Sequence, residues 1–314
     1  MDDNLTEASD KTVRKLTLYG VLPVQAVMSQ LEAGFLSHPM DRATLQAEWQ
    51  RARQAYAKLP LDRSNVSAED VKEVEGVTAT KLEAMRARVR KYAPYDTHTS
   101  DIRKVRISKL VTPQIIVNVS RAERRGSLKE QMTEEELFNL SFEAGGKPQA
   151  IRRQTLGMAP NGGSLLFTSY DEDIRAHHPP IIRQLPVNET DLAAPKLESV
   201  CIPIGGGLPF AAAYRIQIAP GNDRLILANG IHRAYRLAAT GHEWCYLAVT
   251  ELTPLELPDP FVDLPKEILL HPAANPPLIT DFVSKELAIG LVYQPVLKTI
   301  RLNWNFEQYV TVLT

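Results

Sequence analysis

The chain has 314 residues, and its 36 Lys and Arg against 37 Asp and Glu give a net charge of −1. It therefore lacks the basic excess that is usual in proteins that bind nucleic acid, and we do not expect DNA to be a partner. Its two cysteines are too few for a disulfide scaffold or a multi-cysteine metal site. No apolar run reaches the ~18 residues of a membrane span and the N-terminus is acidic where a signal peptide is basic, so we expect a cytoplasmic, bacterial-type protein with no membrane partner.

Residues 1–95 are predicted to form an α-helical N-terminal module. Helical periodicity runs from Val13 to Leu59, with Asp41 as a candidate N-cap for the part that begins at Arg42. Ser67-Ala-Glu-Asp70 has the form of a capping box. A further helix is expected over Thr78–Tyr92, and Pro94–Asp101 has the composition of a linker.

Residues 102–251 are predicted to form a mixed α+β domain, and the Pro-rich residues 252–314 a C-terminal extension. The expected elements of the domain are strands at Val105–Ile107 and Ile115–Val119, a helix at Glu134–Ala144, hairpin strands at Ala211–Ile218 and Arg224–Ala228, a helix at Ile231–Thr240 and a strand at Trp244–Glu251. In the extension we expect a helix over Ile279–Ala288 and strands near Val296–Leu302 and Tyr309–Leu313.

The segment around Gly230 is the most informative in the chain. Gly230 stands where a predicted strand turns directly into a helix, so the unpaired N–H groups of the first helical turn can hold an anion. Glycine there allows a phosphate to approach the backbone closely. His232, Arg233 and Arg236 fall in the first two turns, and arginine grips phosphate in a bidentate manner. The segment thus has the residues of a phosphate site.

This segment resembles the signature of the ParB/sulfiredoxin superfamily, in which a strand ends in a Gly-x-x-Arg turn followed by an Ala-rich helix. The matching residues here are Asn229-Gly230-Ile231-His232-Arg233-Ala234, then Leu237-Ala238-Ala239. Val105–Pro113 is similar to the entry strand and loop of that superfamily. The resemblance covers residues 102–251, is sharp over 224–250, and implies a ParB/sulfiredoxin-like fold there.

Departures from the superfamily limit what the resemblance implies. Ile231 stands where sulfiredoxins have a nucleophilic cysteine, so sulfinic acid reduction is not expected. Partition-protein CTPases have Glu-Arg in place of Ile231-His232 and a helix-turn-helix after the fold, whereas the tail from 252 shows no such pattern. The free-serine kinase branch has Asp-Gly-His-His-Arg, which differs at Asn229 and Ile231.

The residues that this chain shares with the signature of the superfamily imply nucleotide binding. Asn229, Gly230, His232, Arg233 and Arg236 are the expected phosphate ligands, with His232 as the catalytic candidate that positions or protonates a phosphate. The implied ligands are ATP or CTP with Mg²⁺, and the reaction an NTP-dependent transfer or hydrolysis, although whether any reaction occurs stays open. The alternative is a non-catalytic module that docks a partner protein through its N-terminal helices or C-terminal extension.

Other polar clusters leave open alternatives. Adjacent histidines such as His177-His178 point apart on an extended chain, which disfavours a metal pair. The basic stretch Arg121–Arg125 is read as solvated, with a phosphate contact as the alternative, and Gly205-Gly206-Gly207 as a loop or lid. The two cysteines, Cys201 and Cys245, are expected to be buried and inert. The sequence does not choose a base or metal ligand among the carboxylates Glu198, Asp223, Glu243 and Glu251.

Overall fold

The computed structural model shows a fold that mixes α-helices and β-strands, which confirms that level of the predicted class. The chain divides into two compact units, one of residues 1–146 and 208–295 and the other of residues 147–207 and 296–314. The structure describes residues 12–32, 41–92, 98–123, 128–142, 151–159, 162–169, 175–176, 181–184, 198–201, 204–205, 210–258, 264–294 and 298–305.

A six-stranded sheet is the framework of the first unit, in the order β2-β3-β14-β12-β13-β4. Its strands are β2 (Val71–Lys72), β3 (Ser100–Arg106), β4 (Leu110–Val111), β12 (Ala212–Ala219), β13 (Asn222–Asn229) and β14 (Trp244–Leu252). The predicted hairpin is confirmed: β12 and β13 pair antiparallel, and Gly221 in their turn has a φ of +71°. Strand β14 pairs parallel with β12 and antiparallel with β3.

A second sheet joins the two ends of this unit. It has the order β15-β1-β5, where β1 is Val13–Thr17, β5 is Ile116–Asn118 and β15 is Ile289–Tyr293. The prediction that the helical pattern starts at Val13 is therefore wrong, because Val13–Thr17 pairs as a strand on both of its edges. The helical periodicity that the sequence shows belongs to the residues that follow.

Seven α-helices complete the described structure, and side chains cap the N-termini of two of the longer ones. Asp41 caps α2 by accepting a hydrogen bond from the Thr44 N–H at 2.9 Å, and Thr78 caps α3 through the Lys81 N–H at 3.4 Å. The capping box of Ser67 and Asp70 is present, on a 3₁₀ helix. The helices are α1 (Val24–Glu32), α2 (Arg42–Ala57), α3 (Ala79–Val89), α4 (Val119–Glu123), α5 (Glu134–Phe142), α6 (Ile231–Ala239) and α7 (Lys266–Leu270). No helix in the described part of the chain is long and apolar enough to cross a membrane.

Much of the predicted C-terminal extension packs inside the first unit. Residues 264–294 contribute α7 and β15, and the helix predicted over Ile279–Ala288 is a 3₁₀ helix over Ile279–Val283. The predicted boundaries at 95, 102 and 252 do not coincide with those of the two units, because β2, β3 and β15 pair across them. The strand predicted at Tyr309–Leu313 lies outside the described residues.

The second unit contains strands only, among its described residues. Its largest sheet has the order β16-β7-β6, with β16 corresponding to the strand predicted near Val296–Leu302. Two further sheets pair β9 with β10 and β8 with β11. The strands are β6 (Arg152–Ala159), β7 (Gly162–Ser169), β8 (Arg175–Ala176), β9 (Ile181–Gln184), β10 (Glu198–Cys201), β11 (Ile204–Gly205) and β16 (Lys298–Asn305).

A buried polar cluster, here called the Arg224 cluster, ties α7 and the residues after it to the main sheet. Arg224 of β13 has an exposure of 0% and donates to the carbonyl oxygens of Leu269 at 2.7 Å and Ala274 at 2.8 Å. Its Nε has no partner within the described residues, and burial lowers the pKa of its guanidinium. Beside it, Arg63 holds Asp281 through two hydrogen bonds of 2.6 Å.

Candidate functional site

The start of α6 is shaped by Gly230. Its φ of +103° lies in the left-handed region, which side chains other than glycine rarely adopt. A Cβ atom at this position would lie 2.9 Å from the Cβ of Ala211. Two local requirements thus explain the glycine: the backbone conformation and the close approach of the chain that leads into β12. Both are independent of the phosphate contact that the sequence predicts.

The first turn of α6 is formed in the regular way. The N–H groups of Arg233 and Ala234 donate to the Gly230 carbonyl at 2.9 and 3.0 Å. The N–H groups ahead of them lie at the positive end of the helix dipole. No acidic residue lies in this first turn. Its electrostatics therefore favour an anion.

His232 connects the start of α6 with the start of α4. Its Nε2 accepts a hydrogen bond from the backbone N–H of Asn118 at 3.4 Å. A ring nitrogen that accepts a hydrogen bond carries no proton. Nε2 is the acceptor in this contact, so a proton given to a phosphate would have to come from Nδ1.

Asn118, which the sequence analysis does not single out as a site residue, organises the junction. Its Oδ1 accepts from the Arg121 N–H at 2.8 Å and so caps α4. An asparagine directly before a short helix is an N-cap signal, but the β-branched residues around Asn118 predict a strand over Ile115–Val119 instead. Of the basic stretch beyond it, Arg124 and Arg125 lie outside the described residues.

Arg233 lies inside the protein and is bonded to it. Its exposure is 8%, and its Nη1 donates to the Ser141 carbonyl at 3.1 Å, in the last turn of α5. The same carbonyl accepts the Ala211 N–H at 2.8 Å. The structure therefore gives Arg233 a contact that stabilises the fold, and any phosphate contact would come in addition.

The two remaining predicted ligands are also close to α6. Arg236 has an exposure of 7%. The side-chain amide of Asn229 donates to the Phe210 carbonyl at 2.5 Å. All five predicted phosphate residues thus lie on one strand-to-helix turn, and two of them donate to carbonyls of the chain itself.

The other residues that the sequence offers as candidate ligands or catalytic groups either pair elsewhere or lie outside the residues that the structure describes. Within the described residues no group of three His, Cys, Asp or Glu is arranged to hold a metal ion. Cys245 is buried as predicted, and burial raises the pKa of its thiol to about 12. Asp223 pairs with Arg215 at 2.7 Å, and Glu243 pairs with Arg106. The two histidines His177 and His178, Gly206 and Gly207, and the side chains of Cys201 and Glu198 lie outside the described residues. Gly205 belongs to the short strand β11.

Comparisons with known proteins give no relative. No protein-family model, no curated protein and no solved structure matches this chain.

Proposed function

We propose that this chain binds the phosphates of a nucleotide at the start of α6, in a domain similar to the ParB/sulfiredoxin superfamily. The observation that carries the proposal is the turn itself, where β13 passes through Gly230 directly into α6. No acidic residue lies in that first turn, so the positive end of the helix dipole favours an anion there.

The residues around the turn have distinct roles in this proposal. The backbone of the first turn and the Nδ1–H of His232 donate to phosphate oxygens. Arg233 shares its guanidinium between the Ser141 carbonyl and a phosphate, which its several N–H donors permit. Arg236 adds positive charge one turn further along. Mg²⁺ with ATP or CTP would accompany the phosphates, and a transfer or hydrolysis of the terminal phosphate would follow from His232 as proton donor.

The contacts of Arg233 favour a second candidate, a non-catalytic interaction module. The bond to Ser141 already accounts for a buried arginine at this position without a ligand. Ile231 offers no nucleophile. In that case a partner protein docks on the N-terminal helices, since much of the predicted C-terminal extension already packs against β1 and β13 of the same chain.

A thermal-shift experiment separates the two candidates. A ligand that binds only the folded state stabilises it by about 2.7 kcal/mol at a hundredfold excess over Kd. We expect ATP or CTP with Mg²⁺ to raise the Tm of the wild type and not of Arg233→Ala, each compared with its own ligand-free Tm.

Arg90→Ala is the matched control, because Arg90 is an exposed arginine at the end of α3. It should keep the nucleotide-dependent shift. If neither nucleotide changes the Tm of the wild type, the nucleotide proposal is wrong, and capture of a partner by the intact chain becomes the next measurement.

A further inference from the structure

A second polar depression lies in the main sheet, away from α6. It is a cleft of about 250 Å³ whose walls come from β2, β3, β12 and β14. Side chains alternate between the two faces of a strand, so Val249 and Glu251 of β14 lie on the face opposite Tyr246, whose ring contacts Phe138 of α5 at 5.5 Å. The cleft and α5 therefore lie on opposite faces of the sheet.

The cleft combines an apolar patch with charged walls. Ala68, Val71 and Val249 supply the apolar surface. Arg215 and Glu251 line the cleft from neighbouring strands and stand directly opposite each other in the parallel pair β12–β14. Opposite charges that face each other on neighbouring strands attract each other.

Here the two groups do not bond to each other. Arg215 directs its Nε and Nη2 to Asp223 at 2.8 and 2.7 Å, which leaves its Nη1 without an acceptor in the described structure. The Glu251 carboxylate has no hydrogen-bonding or ionic partner among the described residues. Asp101 and Arg103 also line the cleft and pair with each other. Beside that pair, the cleft presents a guanidinium donor and an unpaired carboxylate on adjacent strands, next to aliphatic side chains.

We propose that this cleft binds a free α-amino acid with an aliphatic side chain. The zwitterionic head group matches the two walls: its ammonium group donates to Glu251, and its carboxylate accepts from the Nη1 of Arg215. Its side chain packs on Val71 and Val249. The volume, below the roughly 300–1,000 Å³ of sites for drug-sized ligands, suits a ligand of this size.

Calorimetric titration of the full chain with L-valine tests the proposal, alongside isovalerate, which lacks the ammonium group, and isobutylamine, which lacks the carboxylate. We expect L-valine to bind and each single-charge analogue to bind at least about tenfold more weakly, because each loses one charge-assisted hydrogen bond.

The variant Glu251→Gln keeps the shape of the side chain and removes its charge. We expect it to weaken L-valine binding about tenfold or more while the Tm without ligand stays unchanged, since the Glu251 carboxylate bonds to none of the described residues. Glu267→Gln, which alters an exposed carboxylate on α7, should bind as the wild type does. The proposal is overturned if L-valine does not bind, if isobutylamine or isovalerate binds equally well, or if Glu251→Gln binds L-valine with the affinity of the wild type.

Discussion

The start of α6 and the Arg224 cluster share one kind of contact, a buried arginine bonded to a backbone carbonyl, but differ in the groups around it. In both, a buried arginine donates to a carbonyl in the last turn of a helix: Arg233 to Ser141 of α5, and Arg224 to Leu269 of α7. Carbonyls at a helix C-terminus lack intrahelical partners and carry the negative end of the dipole. A guanidinium is a suitable partner for them even when no carboxylate is near.

The difference between the regions lies in what else is present. Around Arg224 the neighbouring groups are carbonyls and the Arg63–Asp281 pair. Around Arg233 there are also the first turn of α6 and the imidazole of His232. A buried arginine beside a glycine turn is therefore not evidence of a ligand by itself. The helix start beside it is the feature that distinguishes a candidate anion site from a structural clamp.

Replacing Arg224 should give the largest effect on stability. Arg224→Met leaves the carbonyls of Leu269 and Ala274 without their donor, and an unsatisfied buried polar group costs about 1–3 kcal/mol. We expect the free energy of unfolding in urea to fall by about 2–5 kcal/mol. Arg90→Met, at an exposed position, should change it by less than about 0.5 kcal/mol. A loss below about 1 kcal/mol in the unfolding free energy of Arg224→Met would show that the hydrogen bonds of Arg224 contribute little to stability.

Two glycine variants measure how tightly the start of α6 is packed. Gly230→Ala places a side chain in the left-handed region and against Ala211, so we expect a loss of about 1–3 kcal/mol in unfolding free energy. Gly221→Ala imposes a similar backbone at φ +71° but meets no atom within 4 Å. The first variant should therefore be the less stable of the two, and equal losses would mean that the Ala211 contact is relieved by a small shift.

Asp70 provides the opposite case, a helix start that carries its own anion. Burial alone would raise the pKa of this carboxyl, but hydrogen bonds from Ser67 together with Lys109 and Arg106 lower it below the usual value. The stabilisation is therefore present above the pKa of the unfolded state and is lost as the pH falls through the lower pKa of the folded state.

The variant Asp70→Asn tests this assignment. We expect it to reduce the unfolding free energy by about 1 kcal/mol at pH 7, the usual net value of a hydrogen bond. The gap between the wild type and the variant should narrow below about pH 4, where the carboxyl becomes protonated first in the unfolded state and then, at lower pH, in the folded state. A gap that is constant between pH 7 and pH 3 would contradict the role given to its charge. Urea titrations at the two pH values give the comparison.

Signals within a few residues predicted the structure well. The cap at Asp41, the box of Ser67 and Asp70, and the passage from β13 through Gly230 into α6 each depend on neighbours in the sequence. The partners of these elements come from far away. Ser141, which accepts from Arg233, is 92 residues distant, and nothing in the local pattern around Gly230 indicates it.

The same distinction explains the error at β1. The residues Val13–Thr17 have no strong pattern of their own, and they are extended because β5 and β15 pair with them on either side. The register that places Glu251 opposite Arg215 is also a long-range property, because it comes from the parallel pairing of β12 with β14. That Arg215 bonds to Asp223 instead is seen only in the structure. The local sequence therefore marks Glu251 as one of several candidate carboxylates without singling it out.

The pairing of β1 with β15 has a consequence for how the protein is made. Thr17 bonds to Ile289, 272 residues further along. Chains are synthesised at about 5–20 residues per second, so β1 leaves the ribosome tens of seconds before its outer partner exists. Contacts of such high sequence separation also slow folding, because the loop must be closed before they form. Strand β1, the first of the described strands, is thus among the last to gain all its pairing partners. Until β15 has been synthesised, the edge of β1 that β15 will cover is open to pairing with other chains.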